Sequence, residues 1–342
     1  DNRADYDVIL NYLEADEIYT KKIALHTLLP DLYLREILFG VYAIICRDYS
    51  PLRDRALALT RRLAQVPQVL KTAKSNLQNP PELYVESALF TLAGATRFLD
   101  EAVPEFAAGL RGALCEALLE AKDDAVAELR AFELHLRNQV LPKAKGVFPL
   151  GKPLYEQLLK LEHHLPYTTD QLLKLANTEI AALEAELEKT ALLISKKKSW
   201  RDILNELGKD HPSASGLVSA YKKEVKAVKQ FVADKGLVSL GDEVEVEVLP
   251  TPAFALPLIP CVAYMPGAPL DPFFAGQLWV TVPQGTPAEI EERLKAHPNA
   301  GLALRALHET YPGHHVQLAR ARHLPKSRAI RHFLRAPLMS EG

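Results

Sequence analysis

The first 235 residues repeat one pattern, in which apolar side chains recur three and four positions apart and prolines separate the runs. This spacing places the apolar side chains on one face of an α-helix. Proline interrupts helices because it lacks an N–H group and crowds the preceding turn. The separating prolines are Pro30, Pro51, Pro67, Pro80, Pro81 and Pro104. The pattern predicts a mainly α protein whose helices pack as an array or bundle.

The pattern changes at about residue 236, where proline, valine and aromatic residues become frequent. Residues 244–248 alternate valine and glutamate, which predicts a strand with one exposed face, and residues 259–264 and 277–282 are two further strand candidates. Helical spacing returns after Thr286-Pro287, a typical helix start. We therefore predict a helical lobe over residues 1–235, and a second region over residues 236–342 with a small sheet and helices.

Charge and cysteine content exclude several classes of partner. A formal net charge of -2 gives no basis for binding nucleic acid or an anionic membrane surface. No apolar run reaches the roughly 18 to 20 residues that span a bilayer. Three cysteines are too few for a disulfide framework, which favours a reducing compartment. We expect a cytoplasmic protein, with a leader removed before Asp1 as the alternative.

Residues 307–315 read Leu-His-Glu-Thr-Tyr-Pro-Gly-His-His and are the part of the sequence that indicates a chemistry. Two imidazoles can bind one zinc ion, and a carboxylate next to them can act on a water that the metal activates. His308, His314 and His315 supply the imidazoles, and Glu309 supplies the carboxylate. The motif predicts a zinc hydrolase.

The spacing of the histidines differs from the usual one. In an unbroken helix, ligands four residues apart lie about 40° apart around the axis and about 6 Å apart along it. Here the second histidine comes six or seven residues after His308. Pro312 and Gly313 predict a bulge or kink, and such a bulge would return His314 to the position of a ligand four residues away. We therefore predict His308 and His314 as ligands, with His315 as a reserve ligand or a group that faces the substrate.

This motif, together with Gln317, resembles the signature of the bacterial domain-of-unknown-function family 885, whose members are regarded as gluzincin-type zinc metallopeptidases. Residues 340–342, Ser-Glu-Gly, resemble that family's second signature, so the resemblance implies that Glu341 is the third zinc ligand. Weaker likeness is found at residues 148–152 with Tyr155, at 209–212, and at 263–264 with Pro266. Because the resembled domain continues further, we expect the catalytic lobe to be incomplete at residue 342.

The expected function is that of a zinc-dependent metallopeptidase acting on short peptides. Glu309 would take a proton from the zinc-activated water and pass it to the leaving amine. A developing oxyanion needs a further hydrogen-bond donor, for which Tyr264, Tyr311 and His315 are the candidates.

An edge strand beside the catalytic helix would hold an extended peptide by backbone hydrogen bonds, as gluzincin-like enzymes do. The sequence suggests residues 277–282 for this edge, with Tyr264 and Trp279 near the cleft. The alternative for both aromatic residues is packing in the core.

Two other functions are compatible with the same residues. One is a zinc hydrolase that cleaves a non-peptide amide. The other is a non-catalytic helical binding or scaffold protein, in which the motif holds a structural or vestigial metal. Metal content and a Glu309→Gln variant distinguish these possibilities.

Overall fold

A computed structural model describes residues 2–240, 245–268 and 276–324 of the chain, and its architecture is mainly α-helical, as predicted. The helices of these residues are α1 (Asn2–Glu17), α2 (Leu25–Leu28), α3 (Pro30–Ile45), α4 (Leu52–Leu63), α5 (Val66–Asn76), α6 (Glu82–Ala107), α7 (Ala113–His135), α8 (Lys152–Leu161), α9 (Thr169–Ile194), α10 (Trp200–Leu207), α11 (Leu217–Lys235), α12 (Pro287–Leu294), α13 (Asn299–Glu309) and α14 (His314–Ala321). The strands are β1 (Glu247–Pro250), β2 (Val262–Met265) and β3 (Gln277–Val280). None of the helices in the described ranges combines the length and the apolar character needed to cross a membrane.

Prolines mark helix starts at most of the predicted positions. Pro30 and Pro67 lie in the first turns of α3 and α5, and Pro51 and Pro81 are the N-cap residues of α4 and α6. Pro104 is the exception, because it lies inside α6. It stands three residues before the end of that helix, between the buried residues Val103 and Ala107.

Thr286 caps α12 as its sequence predicts. Its hydroxyl accepts a hydrogen bond from the backbone N–H of Glu289 at 3.4 Å, and the Glu289 carboxylate accepts one from the N–H of Thr286 at 2.7 Å. This reciprocal pair satisfies two N–H groups that the helix itself leaves without acceptors.

The chain forms two compact units. Unit 1 comprises Asp1–Ala15, Gly151–Thr251 and Ile259–Gly342, and unit 2 comprises Asp16–Leu150 and Pro252–Leu258. The change of composition predicted at residues 235/236 falls inside unit 1, because α11, which ends at Lys235, packs on β1 and on α13.

Unit 2 is built around α6, which packs against α3, α7 and the turn Ala253–Ala255. A side chain at Gly94 on α6 would lie 2.2 Å from the carbonyl oxygen of Ala253, so the glycine permits this close approach. The Phe254 ring lies against Phe98, with 4.8 Å between the ring centres.

The sheet in unit 1 has the order β1-β3-β2, with β3 parallel to β1 and antiparallel to β2. The prediction that residues 277–282 form an edge is therefore wrong, because β3 is paired on both sides. Trp279 is fully buried, and its indole N–H donates to Gln277 Oε1 at 3.1 Å, so it packs in the core and not near a cleft. Strand order depends on pairing between distant segments, which alternation within one segment does not encode.

The core of unit 1 lies between the sheet and the helices α11, α13 and α14. Leu278 and Val280 of β3 contribute to it together with Tyr221 of α11, Ala306 of α13 and Val316 of α14. This packing fixes α13 and α14 on one face of the sheet.

A buried polar group holds the beginning of α13. His297 is 1% exposed, and its Nδ1 lies 3.1 Å from the hydroxyl of Tyr221. Asn299, the first residue of α13, donates its backbone N–H to the carbonyl of Asp210 and its side-chain amide to the Asp210 carboxylate, both at 2.8 Å. The turn at residues 209–212 therefore anchors the helix that carries His308 and Glu309.

Burial, with smaller effects of the nearby Arg305 and His211 charges, lowers the pKa of His297 to about 4. An unfolded histidine titrates near 6.5, so between pH 6.5 and 4 the unfolded chain binds a proton that the folded chain excludes. We expect the free energy of unfolding to fall by about 3 kcal/mol through this window as the pH decreases. Denaturant titrations between pH 4 and 7 should show a shallower decrease for His297→Gln, whereas the exposed control His323→Gln should follow the wild type. Equal pH dependence of wild type and His297→Gln would contradict this assignment.

Candidate metal centre

The connection between α13 and α14 preserves the helical hydrogen-bond pattern with two residues added. The N–H of Gly313 donates to the carbonyl of Leu307 at 3.0 Å, and the N–H of Val316 donates to the carbonyl of Thr310 at 3.4 Å. These bonds span six residues, whereas a regular α-helix spans four. The two extra residues loop out around the cis Tyr311–Pro312 peptide bond. His314 consequently takes the register position that is four residues after His308 in an unbroken helix.

Gly313 is the residue that allows this connection. A Cβ atom at this position would lie 1.7 Å from the carbonyl oxygen of His308 and 2.6 Å from that of Leu307. Both neighbours are backbone atoms of α13, so they cannot move aside as a flexible side chain can. Only glycine fits here.

The rings of His308 and His314 lie next to each other, with 4.6 Å between their centres and 75° between their planes. Two imidazoles that bind one Zn²⁺ at 2.0–2.1 Å have ring centres about 5 Å apart in tetrahedral geometry. His308 is exposed and His314 is half-buried, so an ion could reach both. The separation of the two rings is therefore compatible with a shared zinc ion.

The third predicted ligand, Glu341, lies outside the described residues. Within residues 2–240, 245–268 and 276–324, no group of three or more His, Cys, Asp or Glu side chains is arranged to hold a metal ion. The described part of the site thus supplies two of the three predicted ligands.

Glu309 is the last residue of α13 and is half-buried. Its Oε2 accepts a hydrogen bond from the backbone N–H of Tyr264 at 2.9 Å. The N–H of Thr281 donates to the carbonyl of Cys261, which sets the hydrogen-bond phase of the β2–β3 pair. By alternation, the N–H and C=O groups of Val262 and Tyr264 point away from β3. Glu309 therefore lies at the outer edge of β2.

His315 points in a different direction from His314. It is fully buried, and its Nδ1 lies 3.0 Å from the hydroxyl of Tyr264. The ring of Tyr311, which is 1% exposed, packs on it at 5.1 Å between centres. Successive helical residues are about 100° apart, so one histidine can face the open side while the next enters the core. We accordingly assign His315 a positioning role, through Tyr264.

Tyr264 connects the pieces of the site. Its backbone binds Glu309, its hydroxyl binds His315, and its ring is stacked 6.5 Å from the ring of His314. A Cβ atom at Gly276 would lie 2.1 Å from the Tyr264 hydroxyl oxygen. Neither the role of Gly276 nor the bond from the Tyr264 N–H to Glu309 was predicted from the sequence. The position of Gly276 directly before a strand was the one sign in the sequence that another group approaches the backbone closely there.

Replacement of Gly313 should separate the two histidines. We expect Gly313→Ala to lower the free energy of unfolding by about 1–3 kcal/mol or more, because the methyl group meets backbone and the connection has to shift. The matched control is Gly301→Ala on α13, where the added Cβ meets only the ring of Pro298 at 3.2 Å. Denaturant unfolding and zinc titration of both variants provide the measurement. Unchanged stability and zinc affinity in Gly313→Ala would show that the connection tolerates a side chain.

Comparison with known proteins relates the chain to one family and one fold. A solved structure from Shewanella oneidensis, described as "a putative lipoprotein of unknown function", matches with a TM-score of 0.66 and 23% sequence identity. The match covers 96% of this chain and 61% of that chain, so the present chain spans less than two thirds of that protein's length. Comparison with curated proteins gave no match. The model of the family described as "Bacterial protein of unknown function (DUF885)" matches residues 1–342, and the chain therefore belongs to this family.

Proposed function

We propose that this protein is a zinc-dependent metallopeptidase that hydrolyses short peptides. The observation that supports this proposal most directly is the pairing of the His308 and His314 rings next to Glu309, at the outer edge of a strand. A metal site, a base and a surface for an extended chain are the three parts that such a reaction needs.

His308 and His314 are the residues that would hold the zinc, with Glu341 as the third ligand that the family resemblance implies. Zinc bound by such a set would acidify a water molecule and polarise a carbonyl group. Glu341 lies outside the described residues, so its part in the proposal rests on the sequence motif alone.

Glu309 is the proposed general base. The N–H of Tyr264 holds one oxygen of its carboxylate, which orients the group at the end of α13. From that position Glu309 would accept a proton from the attacking water and transfer it to the nitrogen of the leaving amine. The proton therefore passes from the attacking water to the leaving amine, and the Glu309 carboxylate ends the reaction deprotonated, as it began.

The edge of β2 is the proposed binding surface for the peptide, in place of β3. Outward-facing backbone groups of Val262 and Tyr264 lie on this edge, and the second of these residues contacts Glu309. A peptide aligned along β2 as an additional strand would have its backbone next to the base. This arrangement favours an extended chain as substrate over an isolated non-peptide amide.

Tyr264 is the proposed donor to the developing oxyanion. Of the three candidates, Tyr311 and His315 are the more deeply buried, and the Tyr264 ring lies 6.5 Å from the ring of His314. The hydrogen bond to His315 fixes the position of the Tyr264 hydroxyl. A donor that is already oriented needs no reorganisation during the reaction.

We place the protein in the cytoplasm, because Cys46, Cys115 and Cys261 are free in the described structure and are scattered along the sequence. The description of the Shewanella oneidensis structure as a lipoprotein favours a membrane-anchored alternative.

Zinc content and hydrolysis should respond differently to changes at the motif. We expect His308→Ala and His314→Ala to lose zinc, because each removes one ligand. Glu309→Gln should keep zinc and lose hydrolysis by about 10²-fold or more, because it removes only the base. Metal analysis and a short-peptide library provide the two measurements, with the exposed residues His323→Ala and Glu292→Gln as controls. Bound zinc without hydrolysis in the wild type would support the scaffold function, and absence of zinc would contradict the proposal.

Changes at Tyr264 should separate catalysis from binding. We expect Tyr264→Phe to lower kcat by about 10²-fold with little change in KM, because the hydroxyl would stabilise the oxyanion more than the bound substrate. Tyr155→Phe, on an exposed ring, is the matched control.

The positioning role of His315 is tested in the same assay. His315→Asn keeps a hydrogen-bonding group near the position of Nδ1 and should retain more of kcat than His315→Leu. Equal kcat values for these two variants would exclude the role assigned to the Tyr264–His315 hydrogen bond.

A further inference from the structure

Arg305 lies on α13 four residues before Glu309. Residues at this spacing are neighbours on the helix surface, about 40° apart around the axis and about 6 Å apart along it. The guanidinium group of Arg305 and the carboxylate of Glu309 therefore extend from the same side of α13. Arg305 is half-buried, so its charge is only partly solvated.

Among the described residues, Arg305 contacts a hydroxyl and forms no ion pair with a carboxylate. Its Nη1 donates to the hydroxyl of Tyr221 at 3.5 Å, and the Tyr221 ring is fully buried. In the described ranges of the chain, Arg305 takes part in no ion pair. A guanidinium group carries five N–H donors in a planar fork that matches a carboxylate. The long Tyr221 contact uses one of them.

The charge of Arg305 affects its surroundings. Burial raises the pKa of the Tyr221 hydroxyl, Arg305 opposes this rise, and the negative charge of Glu309 adds to it. Both charges thus act on the same hydroxyl. Arg305 also helps to lower the pKa of His297, after the larger effect of burial.

We propose that Arg305 binds the C-terminal carboxylate of the substrate, and that the substrates are peptides cleaved one or two residues from that end. The proposal rests on the proposed peptidase function. One helical turn separates Arg305 from Glu309, and successive Cα atoms of a peptide are 3.8 Å apart, so one or two residues span about that distance. A bidentate bond between the Arg305 fork and a carboxylate would fix the peptide end and thereby select the bond next to Glu309.

Peptide binding to a catalytically inactive variant tests the role of Arg305 without relying on activity. The zinc-loaded Glu309→Gln variant is titrated by calorimetry with acetyl-trialanine, with acetyl-trialanine amide, and with an acetylated tripeptide amide that ends in aspartate. We expect the free acid to bind at least about tenfold more tightly than either amide, as for a charge-assisted bond. Adding Arg305→Gln should abolish this preference. Adding Arg293→Gln, an exposed arginine on α12, should leave it intact.

Each outcome bears on one proposal. Tighter binding of the aspartate amide than of the free acid would overturn the choice of the C-terminal carboxylate. Equal binding of free acid and amide, a preference that survives Arg305→Gln, or no binding of any peptide would overturn the role of Arg305. Zinc-dependent hydrolysis of peptides with no preference for a free carboxylate would reject the carboxylate site and keep the peptidase. A preference that depends on Arg305 in a protein that hydrolyses no peptide would keep the site and reject the peptidase.

Discussion

The hydrogen bond from the N–H of Gly313 to the carbonyl of Leu307 is the contact on which the geometry of the site depends. It returns the chain to helical register after two additional residues, and so it brings His314 beside His308. The approach is so close that a Cβ atom at Gly313 would overlap the carbonyl of His308. Two histidines six residues apart therefore become neighbours through a backbone constraint and not through flexible side chains.

The rest of unit 1 holds this connection in place. α11 packs on the sheet and on α13, and the core extends from Tyr221 and Val225 through Leu278 to Tyr311 and Val316. At the other end of α13, Asp210 binds Asn299 and the buried Tyr221 hydroxyl meets His297. Both ends of the helix that carries His308 and Glu309 are thus fixed by buried or paired groups. The orientation of the candidate base is a property of the whole core.

The helices were predictable because their information is local. Periodicity and prolines located α3 to α6, and the residues Thr286, Pro287 and Glu289 located the start of α12. The order β1-β3-β2 was not predictable, because β1 pairs with β3 although β2 lies between these two strands in the sequence. For the same reason the sequence placed the sheet edge and Trp279 incorrectly. The motif predicted which histidines would be neighbours, since proline and glycine next to each other indicate a break in the helix. It contained no sign that the backbone of Tyr264 would contact Glu309.

Tyr264 of β2 contacts both α13 and α14, the two helices on either side of the cis Tyr311–Pro312 peptide bond. The amide of Tyr264 is tied to the last residue of α13, and its hydroxyl is tied to the first turn of α14. A displacement of either helix would therefore pull on the same strand residue. A ligand bound between the paired imidazoles would in this way act on the backbone of the neighbouring strand, so that the proposed metal site and the proposed peptide-binding edge would be linked equilibria.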